Sequence, residues 1–123
     1  MRTIVAPASL ALGLLFALPA VAQRKMELNS QADVDQAVTR ALAQEKLDGE
    51  LARLAVEPGL AGSFTVDITV DDKGRTETVF MVESTNPSVP ARNRVKACLT
   101  AIRYDFKVPK DKRFKTRQTM AFP

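Results

Sequence analysis

The chain has no histidine and no tryptophan, and it has one cysteine and one tyrosine in 123 residues. Without histidine, the commonest general base and metal ligand is missing. A single cysteine excludes an intramolecular disulfide. With no histidine to join Cys98, neither a Cys–His pair nor a zinc set can be assembled. Asp71-Asp72 is the only adjacent pair of carboxylates, and a calcium loop needs more oxygen ligands than it supplies. Lys73 and Arg75 flank that pair, which suits a hairpin turn better than a cation. Gly59, Gly62 and Gly74 form no phosphate-cradling motif. No catalytic residue, cofactor site or metal site emerges, and the chain reads as a non-enzymatic protein. It contains no internal repeat and no low-complexity run.

Residues 1–22 read as a signal peptide. Arg2 is a short basic start, residues 4–18 are an apolar core, and Ala20-Val-Ala22 is a small-x-small cleavage site. Cleavage after Ala22 places the rest of the chain in the periplasm. The alternative is an uncleaved inner-membrane anchor, because residues 3–22 are nearly long enough to span a bilayer. No cysteine lies near the site, so lipid attachment there is excluded.

Residues 23–59 form an N-terminal helical segment. Its first seven residues, 23–29, read as polar and flexible. Ser30 then stands where a helix cap is needed, with Asp33 three positions on. Val34, Ala37, Val38, Ala41 and Leu42 follow at helical spacing. Gly49 interrupts, Leu51 and Leu54 resume the stripe, and Pro58-Gly59 stops it. Two roles stay open for this segment: completing the core of the sheet, or serving as a separate interaction helix.

Residues 60–123 carry a strand, turn, strand, helix, strand pattern. Phe64, Val66, Ile68 and Val70 alternate with Thr65, Asp67 and Thr69, which predicts a half-buried strand. Gly74 ends the turn, where a glycine takes a positive φ without steric cost. A second strand spans residues 75–83, and Ser84-Thr85-Asn86-Pro87 is turn chemistry. A helix begins near Pro90, its apolar stripe formed by Ala91, Val95, Cys98, Leu99 and Ile102. Its place in that stripe makes Cys98 a small buried hydrophobe. The last strand is expected over residues 114–122. The fold class is therefore α+β: a small antiparallel sheet of about three strands, ordered ββαβ, with one packed helix and a preceding helical segment.

These residues resemble a known family. The stretch 62–70, Asp72-Lys-Gly-Arg75 with residues 79–82, Val95-Lys-Ala-Cys-Leu99 with Ile102-Arg103, Phe106 with Pro109, and the closing Phe122 are similar to the C-terminal domain of TonB-type energy transducers. Within that group they look most like the AgmX-type variant. A proline-rich, charge-repeating spacer and a Tyr-Pro element before the first strand are absent. The resemblance implies an envelope protein linked to transport or motility. Its role would be to engage an extended segment of an envelope or outer-membrane partner by adding a strand to a sheet edge. Carried onto this chain, the partner-binding residues are Lys115, Thr116, Arg117, Gln118 and Thr119. A small secreted inhibitor or binding module with a helix-on-sheet shape is the alternative.

Charge is unevenly distributed. Residues 92–117 hold ten basic residues against Asp105 and Asp111, whereas residues 23–91 hold twelve acidic against seven basic. Such asymmetry marks either a surface for an acidic partner or a solvated face. Nucleic acid is excluded as a partner outside the cytoplasm, and Tyr104 and Phe106 are too few to form a stacking platform.

Overall fold

The computed structural model describes residues 25–123, so the leader reading concerns residues outside the described part. In chain order the elements are β1 (Met26–Glu27), α1 (Gln31–Asp48), α2 (Glu50–Ala55), β2 (Gly62–Val70), β3 (Thr76–Ser84), α3 (Val89–Thr100), β4 (Phe106–Lys107) and β5 (Phe114–Phe122). The class is α+β. Strands β3, β2 and β5 form an antiparallel sheet in the order β3-β2-β5, with β2 at its centre. Among the described residues no helix is long and apolar enough to cross a membrane.

Alternation in β2 sets the layers. Phe64, Val66, Ile68 and Val70 are fully buried, and Thr116, Gln118, Met120 and Phe122 of β5 continue the same face. Helices cover this face only. Val34, Val38 and Leu42 of α1, Leu51 and Leu54 of α2, and Ala91, Val95 and Leu99 of α3 join it in one core. The helical segment therefore completes the core of the sheet. The other face carries Thr65, Asp67, Thr69, Lys115, Arg117 and Thr119 and is open to solvent.

The helix boundaries follow local chemistry. The Ser30 hydroxyl accepts from the Asp33 N–H at 3.1 Å, and the Ser88 hydroxyl accepts from the Ala91 N–H at 3.2 Å, so each hydroxyl satisfies an otherwise orphaned donor. Helix α1 breaks at Gly49, where the Glu45 carboxylate takes the Glu50 N–H at 2.9 Å and opens α2. Between β3 and α3, the buried Asn86 donates to the Gly59 and Ala61 carbonyls at 2.9 and 2.8 Å and accepts from the Ser88 N–H at 2.8 Å. One side chain thus ties the strand–helix turn to the entry of β2.

Two expectations need correction. Residues 26–28 are not merely polar tail: β1 pairs in parallel with β4, Met26 opposite Phe106, and the Leu28 N–H donates to the Lys107 carbonyl at 2.8 Å. Leu28 packs on the core, which holds the segment down. Cys98 is half-buried rather than sealed in the apolar stripe. It lies at the margin of the stripe, on the flank of α3 that faces Glu50, Leu54 and Glu57.

In the β2–β3 turn Asp71 and Gly74 are buried beneath the later chain. The Gly74 N–H donates to the Asp71 carbonyl at 3.1 Å, and the Gly74 carbonyl accepts from the Tyr104 N–H at 2.8 Å. Its φ is +78°, as expected for a turn glycine. The Asp71 carboxylate accepts from the N–H groups of Lys73 and Arg75 and from the Arg75 Nε, each at 2.9 Å. Burial works against the ionised form of Asp71, but the two backbone donors and the Arg75 guanidinium outweigh it and hold the carboxyl below its usual range.

Candidate functional site: two edges of one sheet

A sheet in the order β3-β2-β5 has two free edges, and they differ. On β5, Lys115, Arg117 and Thr119 are exposed, whereas Thr116 and Gln118 are buried. The expected binding residues are therefore split between two faces. Arg117 bonds Asp67 on β2 through both Nε (2.9 Å) and Nη2 (3.1 Å), and the Thr119 and Thr65 hydroxyls lie 3.0 Å apart. The Arg117 bond holds Asp67 below the usual carboxylate range against the effect of its burial, and Asp67 in turn raises Arg117. Lys115 is the one cation of the five without such a partner among the described residues.

Helix α1 lies along the outer edge of β5. The Gln31 Nε2 donates to the Lys115 carbonyl at 2.8 Å, and the Lys46 Nζ donates to the Ala121 carbonyl at 2.6 Å. Thr39 Oγ1 reaches Gln118 Oε1 at 3.1 Å between them. The carbonyls of Lys115 and Ala121 therefore point away from β2, and alternation sends the backbone groups of Arg117 and Thr119 the same way. Both ends of this edge are already occupied by α1 side chains.

The β3 edge is different. The Thr85 N–H donates to the Ser63 carbonyl at 3.0 Å, so Ser63, Thr65, Asp67 and Thr69 direct their backbone groups toward β3. Their partners are Ala121, Thr119, Arg117 and Lys115 across β5, and Glu83, Phe80 and Thr78 pair with Thr65, Asp67 and Thr69 across β3. Val79 therefore directs its N–H and C=O away from the sheet, and Met81 follows up to the bulge at Val82. Among the described residues, no backbone hydrogen bond other than those of the ladder with β2 reaches residues 77–84. The start of the edge is closed: Arg75 bridges Arg103, and the Thr76 hydroxyl donates to the Ile102 carbonyl at 3.1 Å. Beyond it lies Val79-Phe-Met-Val82, a run of four apolar residues between Glu77 and Glu83. Phe80 stands on the open face of the sheet and is 66% exposed.

This edge was not picked out from the sequence. The signal was present in β3 itself, where alternation fails and an apolar run sits between two glutamates, as on strands whose edge must resist aggregation. Two register shifts, at Thr65/Val66 and Thr69/Val70 opposite β3, leave a regular stretch from Thr78 to Met81.

Among the described residues no group of acidic or cysteine side chains converges to hold a metal ion. No family model, no curated protein and no solved structure matches the chain.

Proposed function

We propose that the chain is a non-enzymatic protein–protein interaction domain of the TonB C-terminal, AgmX-like kind, acting in the cell envelope on the periplasmic side. It takes an extended segment of an envelope or outer-membrane protein by strand addition, and it does so at β3. The observation that carries this reading is the backbone of β3 at Val79, unpaired among the described residues, set in an apolar run and free of the capping that α1 gives β5. Unpaired strand groups in an exposed apolar edge favour pairing with another chain.

The test uses a photo-crosslinking residue at Phe80 and, separately, at Thr119, in the intact envelope. Adducts with a discrete partner are expected from Phe80 and not from Thr119. Val79→Pro should abolish them while leaving the protein folded, because that N–H makes no ladder bond. Phe80→Pro is the contrasting change, since its N–H faces Asp67 and its loss damages the sheet. Adducts from Thr119 alone, or full capture by folded Val79→Pro protein, would refute strand addition at β3.

A further inference from the structure

The open edge of β3 does not stand alone, because α3 runs beside it. The Thr76–Ile102 bond and the Arg75–Arg103 bridge bring the end of α3 to the start of β3, and Ser84 leads into its N-terminus. Helix and strand are therefore antiparallel neighbours. One flank of α3 faces α2: Arg94 pairs with Glu57 at 3.4 Å, and Cys98 lies by Glu50. Arg92 and Lys96 occupy the opposite flank of the buried stripe of Ala91, Val95 and Leu99. Because α3 packs on β3 with α2 on its other side, that flank is turned toward the free edge of β3. Both residues are half-buried, and neither has an ion-pair partner among the described residues.

Spacing makes these two cations specific. Four residues of helix rise about 6 Å, and two residues of strand rise about 6.6 Å. Arg92 and Lys96 are four apart, so they match successive same-face side chains of a strand laid beside β3. The side chains of Val79 and Met81 lie on this inner face, while Phe80 lies on the other. Glu77, near the start of the strand, is paired with Arg113 at 2.6 Å.

We infer that the groove between β3 and α3 selects an extended peptide whose alternate side chains are acidic on the α3 side and apolar on the Phe80 side. Main-chain bonds to Val79 supply strand pairing, and Arg92 and Lys96 read the carboxylates. This rests on the strand-addition reading and names the partner's chemistry. Charge complementarity of this kind governs selectivity and association rate.

The experiment uses the soluble chain and two short synthetic peptides, one alternating Glu and Val, the other Lys and Val. Hydrogen exchange of the Val79 amide is followed by NMR. The Glu–Val peptide should protect that amide and the Lys–Val peptide should not. Arg92→Gln with Lys96→Gln keeps much of each side chain's packing and should weaken Glu–Val binding about tenfold at low salt, equivalent to about 1.4 kcal/mol. The difference should vanish near 1 M salt, where the screening length is about 3 Å. Arg92→Glu with Lys96→Glu should transfer the preference to the Lys–Val peptide. Equal binding of both peptides to the native chain would leave strand addition standing and overturn the acidic assignment. Protection by neither peptide would overturn both. Protection of Val79 that rises with protein concentration alone would give the edge to a second copy of the chain and refute the inference.

Discussion

Gly74→Ala probes the point where the two halves of the fold meet. A Cβ at this position would stand 2.0 Å from the Phe106 carbonyl oxygen and 3.2 Å from that of Tyr104. Both neighbours are backbone, so no side-chain rotation relieves the contact. A φ of +78° adds the left-handed penalty of about 1–2 kcal/mol for a residue with a Cβ. Moving the 104–107 segment aside would break the Tyr104 N–H bond to the Gly74 carbonyl, a loss of about 1 kcal/mol. It would also loosen Phe106, which is 3% exposed, at about another 1–2 kcal/mol of apolar burial. The total is about 3–5 kcal/mol, a large part of the 5–15 kcal/mol typical of a folded domain. Gly59→Ala is the control. Its φ of +84° is similar, but the nearest atom to its Cβ is the Arg94 Nη2 at 3.9 Å. That variant should lose only the conformational part. Urea denaturation of both, followed by circular dichroism, separates strain from collision. Equal losses in the two variants would show that the buried contact between the turn and residues 104–107 contributes nothing.

Three further outcomes are expected. Because the folded-state pKa of Asp71 lies below its unfolded value of about 3.9, the carboxylate stabilises the fold above about pH 4, and this is lost as pH falls through the lower folded value. The gap between urea midpoints at pH 6 and pH 3 should therefore narrow in Asp71→Asn, the remainder belonging to Asp67, and an unchanged gap would contradict the turn chemistry. The Cys98 thiol is pushed up to about 11, first by burial and then by Glu50, Glu45 and Glu57. Its alkylation near neutral pH should run on the order of 100-fold slower than that of a free thiol and keep rising past pH 9; a plateau by pH 9 would overturn this. Leu51→Ala in α2 should cost about 2–4 kcal/mol. It should shift helix and sheet signals in one transition, whereas separate transitions would mean that the helical segment folds apart from the sheet.

Local chemistry was legible wherever it is written in neighbouring residues. Ser30 caps α1, Gly49 breaks the helical run, Gly74 takes the positive φ, and residues 114–122 form the last strand. The face of β2 follows from its strict alternation of apolar and polar residues. What escaped was set by partners distant in sequence. Met26 and Glu27 are a strand only because Phe106 and Lys107 lie beside them. Cys98 has helical spacing suited to burial, but its depth depends on how far α2 reaches across α3. The same holds for the two edges. Nothing local in residues 115–119 shows that Gln31 and Lys46, dozens of positions earlier, will bond to the outer carbonyls of β5.

The charge asymmetry acquires a different meaning once the chain is folded. Three of the ten cations between residues 92 and 117 are matched by acids from the earlier, acidic half: Arg94 by Glu57, Arg113 by Glu77 and Arg117 by Asp67. Part of the imbalance along the sequence is therefore complementarity between the halves across the tertiary structure. Exposed pairs of this kind add little stability, at about 0–1 kcal/mol each, but they remove those cations from the set available to a partner. Arg117, the centre of the expected β5 site, is removed in this way, and α1 takes carbonyls on the same edge. Among the described residues Arg92 and Lys96 are left unmatched at half-buried positions, where packing limits their freedom and less ordering is needed to fix them on a ligand. An exposed cation in the loop before β5, such as Lys110 or Lys112, has no comparable packing restriction. For this reason the α3 flank, and not the density of basic residues along the chain, locates where an acidic segment would be held against the open edge of β3.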